Sequence, residues 1–96
     1  MQKIDVISTA SQGDGWAFDV TVSEGRGQTT HRVTMTRDVY ERLTGAICAP
    51  EELVRASFEF LLEREPKESI LSEFDITVIS RYFPSYEDEI VQRIRI

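Results

Sequence analysis

The chain holds one histidine and one cysteine, and these two residues bound the chemistry it can carry. A nucleophilic triad or a metal centre needs a base or several ligands held together. His31 would have to recruit Asp or Glu for that purpose, and no HExxH-type spacing supplies them. The alternation around it places His31 on one face with Val33 and Met35, as an ordinary residue near the start of a strand. Cys48 sits just ahead of a helix start at Pro50. A helix N-terminus activates a thiol, but Glu51 and Glu52 in the same turn oppose that effect. Free cysteine is also among the most buried residue types, so Cys48 reads as packing. A lone cysteine excludes an internal disulfide, a CxxC redox pair and a cysteine-based zinc cluster.

The carboxylates form two groups. Glu87, Asp88 and Glu89 are consecutive on a helix and splay about 100° apart, so they do not converge on one cation. Their place in a first turn is explained by the helix dipole. Glu52, Glu59 and Glu63, at spacings of seven and four, fall on one helical stripe within about 40°. A solvated face is the plain reading of that stripe, and a docking strip for a basic partner is the sharper one. Gly13, Gly15, Gly25 and Gly27 make two GxG pairs. Neither continues to GxGxxG or opens a helix, so they read as hairpin glycines and not as a phosphate cradle. Tyr82, Phe83 and Tyr86 surround Pro84, as an apolar corner between two helices or as a ligand-facing patch. No metal site and no cofactor is called for.

These residues must be positioned by strands first and helices second. Trp16, Phe18, Val20 and Val22 alternate with Ala17, Asp19, Thr21 and Ser23, the period-two pattern of a half-buried strand. Ile4 and Val6 precede that run, and His31, Val33 and Met35 follow it. Gly-containing turns separate the three, so strands are expected at about residues 2–8, 15–23 and 29–36, in an antiparallel meander. The period then becomes helical. Thr36 can cap a helix over 37–44 that ends at Gly45. Pro50 fits the first position of a helix over 50–64, with Phe58 and Leu61 inward and Glu59 outward. Pro66 through Leu71 makes a connector or a single turn. Asp75 can cap a third helix over 75–83 with Ile76, Ile79, Tyr82 and Phe83 on one face, and a fourth covers 85–94. Arg37–Glu41, Asp38–Arg42 and the Glu51–Arg55–Glu59 ladder are spaced for i,i+4 pairs. Strands followed by helices predict an α+β fold, with three or four helices on one face of the sheet and both sheet edges uncovered.

Composition bounds the rest. Ninety-six residues suffice for one domain, 1–96, with a core that needs no staple. Eleven basic against seventeen acidic residues give a net charge of −6, and no third of the chain is basic. Nucleic acid and anionic membrane are therefore poor partners. No apolar run approaches the ~20 residues of a membrane span. The absence of disulfides and of an export signal points to the cytoplasm. The sequence thus points to a small acidic interaction or regulatory module without catalytic activity, binding another protein or itself. The alternative is a small-molecule-binding or catalytic domain with a pocket between sheet and helices, using His31, Trp16, Tyr82 and nearby carboxylates.

Overall fold

Alternation is realised in three long strands: β1 (Gln2–Gln12), β2 (Gly15–Glu24) and β3 (Gly27–Thr36). The computed structural model describes residues 2–95. The strands form the expected antiparallel meander, with Val6 opposite Val20 and Val20 opposite His31. β1 runs past residue 8 because a bulge between Ser8 and Ala10 resets the register and lets pairing continue to the turn. That hairpin loop thereby shrinks to two residues; the β2–β3 loop is equally short because regular pairing runs to Glu24 opposite Gly27, so β3 begins earlier than residue 29. At Gly15 the backbone passes so close to β3 that a Cβ would lie 2.3 Å from the Met35 carbonyl oxygen, which excludes any side chain there.

Helices cover one face. In α1 (Arg37–Thr44) the Thr36 hydroxyl accepts the Val39 amide at 3.3 Å. That helix closes at Gly45 in the left-handed region, φ 62°, where a Cβ is disfavoured. Helix α2 (Pro50–Leu62) stops two residues short of 64, and Glu63 caps it. Its Leu53, Val54, Phe58 and Leu61 are buried in one core with Phe18, Val20, Val22 and Val33 of the sheet, and Phe60 meets the rings of Phe83 and Tyr86. Glu59 faces solvent, as its position on the helix requires. The last helix, α4 (Tyr86–Arg95), buries Tyr86 and Ile90 against α2. The Tyr86 hydroxyl donates to Ser57 Oγ at 2.6 Å, and Ser57 donates to the Leu53 carbonyl at 2.8 Å, so this buried polar pair is satisfied. Burial pushes the Tyr86 hydroxyl's pKa up.

The expected helix over 75–83 does not form as one element. Residues Glu73–Asp75 instead make a short fourth strand, β4, parallel to β3 with Phe74 opposite Val33. A 3₁₀ turn (Ile76–Val78) and a single helical turn, α3 (Ile79–Tyr82), follow. Asp75 does cap, accepting the Thr77 amide at 3.1 Å, but it caps the 3₁₀ turn. The run Ile76-Thr77-Val78-Ile79 is β-branched throughout, which lowers α-helix propensity across the middle of the segment. Two further expectations change with this segment. β4 covers the β3 edge over Arg32–Thr34 alone, so among the described residues β1 is the edge strand with no strand partner along its whole outer side. Tyr82 turns outward, 67% exposed, while Ile79 stays in the core.

Candidate functional site

Each sequence candidate has a definite place. His31 is 2% exposed and tilted against Phe58, ring centroids 5.4 Å apart. Nδ1 lies 2.8 Å from the Leu71 carbonyl, which can only accept, so Nδ1 carries the proton. Nε2 then accepts the Thr29 hydroxyl at 2.8 Å. Both nitrogens are engaged, and the ring ties β3 to the segment that leads into β4. Cys48 is half-buried; burial raises its thiol pKa, and Glu52 raises it further, which keeps the thiol protonated. Trp16 meets Tyr40 edge-on at 5.2 Å, with the Arg37 guanidinium 4.8 Å over its ring. His31, Trp16 and Tyr82 are therefore not brought to one place.

Glu87, Glu89 and Glu63 are engaged by arginines of other elements, and the i,i+4 pairs expected of Arg37, Arg42 and Arg55 do not form among the described residues. Arg42 of α1 takes Glu87 bidentately at 2.6 and 3.2 Å. That hydrogen bond holds the Glu87 carboxyl below the usual range. Glu89 accepts Ser85 Oγ at 2.8 Å and Arg64 at 2.8 and 2.9 Å, and its pKa is lowered by Ser85 first and Arg64 second. The two side chains diverge, as a non-chelating arrangement requires. Along the α2 stripe, Glu63 is bound by Arg93 and lies 3.4 Å from Arg64; Arg93 depresses its pKa. Glu52 and Glu59 enter no ion pair among the described residues. Arg55, between them, leaves the expected ladder and donates to the Ile4 carbonyl of β1. The stripe thus borders the β1 edge, where Ile4, Glu59, Leu62 and Arg93 line a shallow groove.

The clearest concavity lies elsewhere, where α2 ends and β4 begins. It is open to solvent on one side and holds about 310 Å³. Leu61, Ile70, Phe74, Ile79 and Phe83 contribute apolar walls. Leu71 and Tyr82 belong to it as well, and both are largely exposed, at 47% and 67%. Only four large apolar side chains are exposed to that extent among the described residues, and the other two, Ile7 and Ile47, lie apart. Glu65 is the cavity's one ionisable carboxyl, and burial pushes its pKa up. Behind the cavity, His31 holds the Leu71 carbonyl, and Phe58 stands 6.1 Å from Phe74. His31 therefore sets the position of the wall without reaching the interior.

Sequence reasoning missed Glu65, Leu71 and Lys67. Lys67 is only 6% exposed, and its Nζ meets the Glu68 carboxylate at 2.6 Å, which lowers that group's pKa. It packs over Gly27, where a Cβ would come 2.9 Å from Nζ. All three residues sit in or beside the connector, where no periodicity assigns a face. Among the described residues no group of His, Cys, Asp and Glu is arranged to hold a metal, and no helix is long and apolar enough to cross a membrane. Comparison with family models, with curated proteins and with solved structures finds no match to this chain.

Proposed function

We propose that this protein is a non-catalytic interaction module that pairs through the free edge of β1. The supporting observation is the edge itself: eleven residues long, with no neighbouring strand on its outer side among the described residues. In an antiparallel strand the N–H and C=O of one residue point the same way. Arg55 reaches the Ile4 carbonyl from outside the sheet, so Ile4, Val6 and Ser8 carry the outward backbone groups. These are the groups an added strand would bond.

The occupant we assign is β1 of a second copy, related by a two-fold axis at Val6. That register sets Ile4 opposite Ser8 and Asp5 opposite Ile7 of the second copy, so no like charges face each other. A register centred on Asp5 would oppose two carboxylates. The helix layer beside the edge carries both signs, Glu52 and Glu59 flanking Arg55, as an isologous contact needs. Exposed Ile7 and half-buried Ile4 and Val6 supply apolar area. The non-catalytic part of the reading is supported by engaged candidates: both nitrogens of His31 are bonded, and burial raises the Cys48 thiol pKa.

Sedimentation velocity over a range of concentrations tests the reading. A reversible dimer that Val6→Lys abolishes is the expected result. A wild-type chain that stays monomeric up to about 1 mM overturns it, since binding weaker than ~4 kcal/mol serves no interaction module.

A further inference from the structure

We propose that the cavity between the end of α2 and α3 is a binding site for a small apolar molecule bearing one protonated amine. This inference goes beyond the edge-pairing reading and stands apart from it, on different residues. The volume, about 310 Å³, is at the low end of ligand pockets and suits a molecule of roughly ten to fifteen non-hydrogen atoms. The walls set its body. Leu61, Ile70, Phe74 and Phe83 reward apolar surface, and the exposed Leu71 and Tyr82 gain cover only when something fills the space beside them.

Glu65 sets its polar end. Its carboxyl enters no ion pair or side-chain hydrogen bond among the described residues, although Arg64 is its chain neighbour. Arg64 is turned away: its guanidinium lies 3.6 Å over the Phe60 ring and is held by Glu89. The neighbouring guanidinium is thus already committed, and a half-buried carboxylate is left in an apolar wall. Burial raises the Glu65 pKa, which means the charged form lacks compensation that an arriving ammonium group would provide. An anionic ligand would meet the same carboxylate and be repelled. The Tyr82 ring offers the cation a second favourable surface.

The test is a ¹H–¹⁵N correlation titration of the full chain with 2-naphthylmethylamine, with 2-naphthylmethanol and 2-naphthoic acid in parallel. The amine should give saturable shifts centred on the amides of Leu71, Phe74, Val78 and Ile79. The acid should bind at least tenfold more weakly. Glu65→Gln should cost the amine about tenfold and remove its advantage over the alcohol, while leaving alcohol binding unchanged. Val78→Trp should block all three probes. Tyr82→Lys alters an exposed position, preserves the core, and should weaken the amine selectively should the tryptophan variant fail to fold. Equal binding of amine and acid overturns the inference, as do shifts scattered over the surface or shifts that do not saturate.

Discussion

The β1 edge and the apolar cavity are opposite solutions to leaving part of a fold unfinished. The edge presents backbone groups at Ile4, Val6 and Ser8, which any extended chain can bond, so selectivity must come from register and from charges alongside. The cavity presents side chains, Phe74, Phe83 and Tyr82 with Glu65 among them, so selectivity is built into shape and one charge. They are also protected differently. Arg55 occupies the Ile4 carbonyl, and the bulge after Ser8 breaks the regular edge, both ways of limiting indiscriminate pairing. Nothing comparable shields Leu71 and Tyr82 among the described residues. Strands need guarding against every neighbour, whereas a concave site this small excludes most partners by size.

The contrast can be broken most severely through what the two surfaces share. Phe58→Ala removes a buried ring packed between His31 and Phe74, and should cost about 3–5 kcal/mol in denaturant unfolding. If the loss is under ~1 kcal/mol, the core does not support the cavity wall as described. Val6→Lys comes next. It should reduce self-association by more than about tenfold in sedimentation, since an inserted ammonium lies beside its symmetry mate, while probe binding in the cavity stays unchanged. Parallel loss of both would mean that the surfaces are coupled. Arg55→Ala is the sharper reverse test: freeing the Ile4 carbonyl should tighten association a few-fold, and weakening would show that the guanidinium is part of the contact instead of its guard.

Acid titration separates the regions by sign. Glu63 and Glu87 have pKa values lowered by arginine, so their contribution is present above the ordinary carboxylate value of about 4.3 and is lost as pH falls through the folded-state pKa. Glu65 runs the other way. Its raised pKa means that its contribution is full below the ordinary value and is lost as pH rises through the folded-state pKa. Glu65→Gln should therefore gain on wild type in thermal melts at pH 7 relative to pH 4, and Arg42→Gln should lose on it. The exposed pair that Arg42 makes sets the smallest effect, well under ~1 kcal/mol. Shifts of the same sign in both variants would refute the assignment of the two carboxyl environments.

Much of the framework was legible because local rules govern it. Alternation in residues 16–23 marked the central strand, Thr36 and Gly45 marked both ends of α1, and Phe58 and Leu61 lay on the inner side of α2 as their spacing required. The cavity was not legible, because no local rule builds it. Its residues come from the tail of α2, a connector without periodicity, and a segment whose apolar spacing resembled a helix. Reading 75–83 as one helix sent Tyr82 inward with Ile79. The parallel pairing of Phe74 with Val33 draws Glu73–Asp75 into the sheet, the remainder breaks into two short turns, and Tyr82 is left at the surface. The charge pairs failed for a similar reason. Arg42 and Arg55 were assigned to neighbours one turn away, while tertiary packing offered Glu87 and the Ile4 carbonyl.

The bond from His31 to the Leu71 carbonyl joins positions 40 residues apart. Closing so long a loop carries an entropic cost that a hairpin avoids, so β4 and the walls beside it should assemble after the meander during folding. The same order in reverse makes this the first part of the sheet to open in the native state. Deuterium should then enter at Phe74 well before Val20, and the cavity should be a feature the protein periodically dismantles and rebuilds.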